Sequence, residues 1–157
     1  MTSTRLINLI LIICSLFLLF YCDANPINSE SLDLESAKAK WNNKRIYTYT
    51  INEKVDCFCL NAGKFFEITV SGNTINKVVN IKNGQELDPQ YWSLFQTVDD
   101  LFLLIDSLNP ESMAKFEVDY NKSLGYPSML NLDYSSQIAD EEINYTLNNL
   151  QIVGTYK

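Results

Sequence analysis

Six short stretches of this chain place apolar residues at every second position, and two others place them at helical spacing. That switch of period constrains the fold more than any other feature. A strand sends alternate side chains to opposite faces, whereas a helix brings residues three and four apart onto one side. The first helical stretch, SLDLESAKAKWNNK, puts Leu34, Ala37 and Trp41 on one face. Its acidic residues Asp33 and Glu35 come first and Lys38, Lys40 and Lys44 later, the order the helix dipole favours. The second, TVDDLFLLIDSLNP, carries a stripe of Val98, Leu101, Phe102, Ile105 and Leu108. Thr97 followed by Asp100 is a variant of the capping box, and Asn109-Pro110 is a stop signal.

The alternating stretches begin with RIYTYTINEKV, where Tyr47, Tyr49 and Ile51 oppose Thr48, Thr50 and Asn52. KFFEITV aligns Phe66, Ile68 and Val70, and TINKVVNI aligns Ile75, Val79 and Ile81. Gly72-Asn73 between them suits a two-residue hairpin. AKFEVDY (Phe116, Val118, Tyr120), MLNLDY (Leu130, Leu132, Tyr134) and INYTLNNLQI (Ile143, Tyr145, Leu147) follow the second helix. The order is helix, three strands, helix, three strands. Strands joined by short turns pair antiparallel. The expectation is an α+β fold in which two helix–β3 units form one largely antiparallel sheet with both helices packed on one face. Identity between the halves is negligible, so the repeat is one of pattern only.

The N-terminus reads as an address. Arg5 precedes an apolar run over residues 6–20, and a small residue follows at Ala24. A bilayer span needs about 20 apolar residues, so this shorter run is expected to be a secretory signal peptide cleaved after Ala24. Residues 25–32 would then be a flexible lead-in and 33–157 a single domain. The alternative places a lipid on Cys22 as the first residue of a bacterial envelope lipoprotein, although Tyr21 is bulky where a small residue is expected. Cleavage removes Cys14 and Cys22. It leaves Cys57 and Cys59 in an oxidising compartment, where thiols pair.

Charge and composition narrow the chemistry. Beyond residue 22 the chain carries 11 Lys and Arg against 19 Asp and Glu, a net of −8. That argues against nucleic-acid backbones and against strong binding to anionic membranes, both of which need a basic surface. There is no histidine. The usual Ser-His-Asp and Cys-His nucleophile pairs and the commonest zinc ligand are thereby removed. No catalytic residue, metal ligand or cofactor site is expected.

Cys57 and Cys59, with Phe58 between them, admit four readings. A structural disulfide leads; it closes almost no chain, so its effect is local. A redox pair, half of a metal site, or free or intermolecularly paired thiols are the others. Asp140, Glu141 and Glu142, with Asp133 upstream, lack the ligand spacing and glycine of a calcium loop and read as a solvated turn. Asn121 (Asn-Lys-Ser) and Asn144 (Asn-Tyr-Thr) are glycosylation candidates in a eukaryotic secretory pathway. Tyr91, Trp92 and Phe95 are expected to pack over the core; the alternative is an exposed binding patch.

The chain resembles a family of secreted proteins and lipoproteins, mostly bacterial, built around a domain of unknown function. The resemblance rests on Trp41 ahead of YTYT, the CFC of residues 57–59, TVDDLF at 97–102, GYPSMLNLDY at 125–134 and ADEEINYTL at 139–147. It spans about residues 37–150. It implies a secreted or envelope domain with no assigned activity and no catalytic residues to carry over. The helix–β3 order is also similar to the tandem layout of beta-lactamase-inhibitor-like and peptidase-propeptide-like domains, a likeness of fold alone. The expected function is a secreted, monomeric, non-enzymatic binding or inhibitor-like domain with an unidentified protein or peptide partner. The alternatives are a thiol/disulfide redox protein using Cys57 and Cys59, and an envelope lipoprotein with a structural role.

Overall fold

The computed structural model describes residues 32–156. The expected signal peptide, its cleavage point at Ala24, the lipidation candidate Cys22 and almost all of the lead-in lie outside the described residues. Among the described residues, no helix is long and apolar enough to cross a membrane.

Helix α1 (Leu34–Asn43) starts where Asp33 Oδ1 accepts the Ser36 backbone N–H at 2.8 Å, and it buries Ala37 and Trp41. Helix α2 (Val98–Ser107) has the full capping box of Thr97 and Asp100 and buries Val98, Leu101, Phe102 and Ile105. An ion pair between Lys38 and Asp106 and a hydrogen bond from Trp41 Nε1 to Asp99 Oδ1 (3.1 Å) tie the two helices together.

The strands are β1 (Ile46–Asp56), β2 (Phe65–Ser71), β3 (Thr74–Asn80), β4 (Lys115–Tyr120), β5 (Pro127–Asp133) and β6 (Ile143–Thr155). They form one sheet in the order β3-β2-β1-β6-β5-β4, with every neighbouring pair antiparallel. Tyr49, Ile51, Glu53 and Val55 of β1, Phe66, Ile68 and Val70 of β2, and Leu130, Leu132, Tyr145 and Leu147 of β5 and β6 are buried beneath the helices. Tyr49 shows that both helices share this face: the Trp41 ring meets it edge-on at 5.5 Å, and its hydroxyl accepts the Val98 N–H at 3.0 Å. The other face is polar, with Thr50, Asn52, Glu67, Thr69, Asn144 and Thr146. The expected α+β class and the placement of both helices on one face hold.

The two helix–β3 units are of opposite hand. Each steps across the sheet in the same direction, 3-2-1 and then 6-5-4, yet their corresponding strands run in opposite senses. With both helices on one face, no rotation superimposes one unit on the other. The halves therefore share an order of elements and not a tandem geometry.

Strand β3 departs from its expected alternation. Ile75 pairs with Val70 and Lys77 with Thr69, so Asn76 is an extra residue on β3. Such a bulge shifts the alternation by one. Val78 becomes the fully buried residue, opposite Ile68, while Val79 is half-buried and Ile81 is exposed. Tyr134 also lies outside the core, exposed just past the end of β5. The outer edge of β3 is covered, since Leu87 N–H donates to Val78 O and Asn80 N–H to Gln85 O, both at 2.8 Å. The β4 edge instead carries Lys115, Glu117 and Asp119 in alternation, charges that discourage a further strand.

One glycine fixes how α1 sits. Gly125, at φ +88°, comes so close to the helix that an added Cβ would lie 2.2 Å from Ala37 O. The GYP segment thus forms a floor on which the helix backbone rests.

Candidate functional site

Strand β1 delivers the CFC segment to one end of the sheet. The strand stops at Asp56, and the chain bends where Cys59 N–H donates to Cys57 O at 2.8 Å. This bend brings the two cysteine Cα atoms to 5.2 Å, inside the range a disulfide needs and shorter than an extended strand gives. Asn61 and Gly63 then adopt positive φ, and Gly63 N–H returns to Val55 O at 3.0 Å. The result is a closed, self-bonded turn with Phe58 at its tip. Phe58 is 83 % exposed and Leu60 is 60 % exposed, whereas the flanking cysteines are half-buried. Leaving two large apolar side chains in water forgoes about 1.5–3 kcal/mol each of possible burial.

Below this turn, on the buried face of the same strand, lies Glu53. It is wholly buried, between Ile51 and Val55 along β1 and opposite Phe66 and Leu147 on the neighbouring strands. Its Oε1 accepts the Gln96 backbone N–H at 3.1 Å, and among the described residues its Oε2 has no partner. Burial pushes its carboxyl up to about 8, with the Gln96 bond pulling the other way. Tyr145 is the nearest titratable group on β6, and burial raises its phenol to about 12. At neutral pH Glu53 is thus largely a neutral acid, able to donate a proton but sealed from solvent.

The binding-patch candidates Tyr91, Trp92 and Phe95 are not brought together as one exposed patch. Phe95 is a core residue, its ring 5.1 Å from that of Phe66. Trp92 is half-buried and donates its indole N–H to Leu87 O at 2.9 Å. Only Tyr91 is exposed, on the short 3-10 turn Pro89–Leu94. Asp88 starts that turn by accepting the Gln90 N–H at 3.0 Å.

Of the glycosylation candidates, Asn121 uses its side-chain oxygen to accept the N–H groups of Ser123 and Leu124, at 3.0 and 2.9 Å. Its Nδ2 sits 3.3 Å from the Tyr126 hydroxyl. Asn144 is half-buried on the polar face, between Asp56 on β1 and Asn131 on β5. Among the described residues, no group of three or more acidic or cysteine side chains is gathered as a metal site.

Two features escaped the sequence reading. Glu53 occupies the fourth place in the alternation Tyr47, Tyr49, Ile51, Glu53, Val55, and following that alternation past Asn52 would have flagged it. The exposure of Phe58 had no sequence signal beyond its place between two cysteines.

No curated protein and no solved structure matches this chain. Residues 33–152, most of its length, match the Family of unknown function (DUF6174), and the chain belongs to that family.

Proposed function

We propose that this is a non-enzymatic, inhibitor-like binding domain that presents the CFC turn to a protein partner in an extracellular compartment. The single observation that carries this reading is Phe58, exposed at 83 % on a turn closed at both its shoulders. Interface energy concentrates in a few large anchors, and a loop already held in its bound shape loses little entropy on binding. A bridge between Cys57 and Cys59 would be the lock on that shape, and secretion would supply the oxidising conditions for it. The fully buried Glu53 has no route to a substrate, which favours binding over acid catalysis.

Affinity capture from the native medium tests the reading. Phe58→Ala should lose the partners that the unaltered protein retains, while Tyr91→Ala should keep them. Equal capture by Phe58→Ala would overturn it.

A redox role is the second reading, favoured by the closeness of Cys57 and Cys59, whose Cα atoms are 5.2 Å apart on a surface turn where neither residue is fully buried. A bridge that withstands a glutathione buffer on intact-mass alkylation would end it.

A further inference from the structure

At the end of the sheet that carries the CFC turn, a second turn closes beside it. Strand β2 pairs with both β1 and β3, so the chain leaving β3 at Asn80 arrives next to Phe65, the first residue of β2. Ile81 N–H then donates to Phe65 O at 3.3 Å. Gly84 N–H returns to Asn80 O at 2.8 Å, and Asn80 Oδ1 accepts the Lys82 N–H at 2.9 Å, so this second turn is also self-bonded. The two turns border a groove of about 740 Å³. Gly63, Lys64 and Phe65 come to it from the CFC side, and Asn80, Ile81 and Lys82 from the end of β3.

Two properties set this groove apart from the rest of the surface. The first is charge. Beyond residue 22 acids outnumber bases 19 to 11, yet the groove is lined by two lysines and no acid. Lys38, Lys54 and Lys115 each pair with a carboxylate. Among the described residues neither Lys64 nor Lys82 does; Lys64 Nζ donates to the neutral Asn61 Oδ1 at 3.1 Å. The second is apolar area. Ile81 is 48 % exposed, and Phe65 is a half-buried aromatic on the otherwise polar face of the sheet. Lys54 Nζ stands 5.8 Å from the centre of the Phe65 ring, but Asp56 already balances its charge.

We infer that this groove takes a short acidic and apolar peptide segment of the protein partner, an inference that rests on the proposed binding role. Carboxylates of the segment face Lys64 and Lys82, and a neighbouring aliphatic or aromatic side chain lies on Phe65 and Ile81. The apolar contact supplies affinity, while the opposed charges set register and partner choice. A basic groove on an acidic protein also selects its approach, because the remaining surface repels an acidic partner. A nucleic acid or an anionic membrane presents a broader negative surface, which would meet that repulsion as well.

The probe is a short blocked peptide that alternates Asp and Glu with Leu and Phe. It is titrated into isotope-labelled protein while the backbone amide shifts of Gly63, Phe65, Ile81 and Gly84 are followed. Saturable shifts are expected there, and Lys64→Glu and Lys82→Glu should each weaken binding by about fivefold. Raising salt from about 0.05 to about 0.5 M should weaken it by a similar factor. The same peptide with Asn and Gln in place of its acids should not bind. Equal binding of that neutral peptide, no response to the acidic one, or an affinity unmoved by Lys82→Glu would each overturn the inference. So would shifts produced only by phosphatidylglycerol vesicles, or the same shifts on concentrating the protein alone. Phe58→Ala, outside the groove, should leave peptide affinity within about twofold. Capture lost on Phe58→Ala with no peptide response therefore refutes the groove alone. A peptide response with capture unmoved by Phe58→Ala refutes the role of the CFC turn alone.

Discussion

The backbone N–H of Gln96 donates to Glu53 Oε1 at 3.1 Å, joining two residues 43 positions apart across the core. The bond ties the segment that leads into α2 to the central strand of the sheet. It also fixes the sign of a pH effect. The carboxyl of Glu53 moves from an ordinary value of 4.5 up to about 8 on folding. The folded state therefore binds more protons than the unfolded state between those values, and stability falls as pH rises through that window. Below about 4.5 the penalty vanishes; above about 8 it is constant. Glu53→Gln keeps the acceptor and removes the charge. Urea melts at pH 5, 7 and 9 should show a flatter profile for the variant, with the largest gain at pH 9. An identical slope in both proteins would mean that Glu53 does not titrate in this way.

Gly125 and Gly84 make a matched pair. Both have positive φ, near +88° and +70°, but an added Cβ meets Ala37 O in the first case and nothing within 4 Å in the second. Gly84→Ala should cost about 1 kcal/mol, from backbone strain alone. Gly125→Ala should cost about 3 kcal/mol or more, because α1 must also move away. Denaturant midpoints of the two variants check this, and equal losses would contradict the close approach of helix and turn.

Thr97 is buried at the start of α2, and its Oγ1 accepts the Asp100 N–H at 3.1 Å. Thr97→Ala should destabilise by about 1–2 kcal/mol through loss of the cap. Thr97→Ser, which keeps the hydroxyl, should recover most of that loss. A serine variant no better than alanine would shift the explanation to the missing methyl group.

The CFC turn makes a different demand. A bridge between neighbours two residues apart restrains little unfolded chain, about 1–2 kcal/mol on the chain-entropy scale. Reduction should lower the melting temperature by only a few degrees while raising protease sensitivity at Phe58 and Leu60. Global unfolding on reduction would show that the pair supports the whole domain and not the turn alone.

Much of this architecture could be read from period and punctuation. Alternation located all six strands, helical spacing gave the buried stripe of α2, and Thr97 with Asp100 marked its start. What failed depended on partners distant in sequence. Asn76 is a bulge only because β2 sets the register opposite it, so the buried residue is Val78 and not Val79. Strand β6 extends to Thr155 because β1 pairs with it along its length, which local pattern does not show. Phe95 is an exception: packing over the core is the leading reading of its aromatic loop, and the Phe66 ring at 5.1 Å is what seats it there. The Phe58 tip depends on a turn closed by Val55 and Gly63, which has no contiguous signature.

The claim that the CFC turn is a binding element stands most directly on one comparison. Unaltered protein and Phe58→Ala are immobilised at equal loading, their melting temperatures are verified to agree, and capture from the native medium is quantified by mass spectrometry. Surface substitutions of this kind usually leave stability within about 0.5 kcal/mol, so the two proteins should melt together. The account predicts that partners enriched on the unaltered protein fall to background on Phe58→Ala. Unchanged enrichment on a fully folded Phe58→Ala would contradict it.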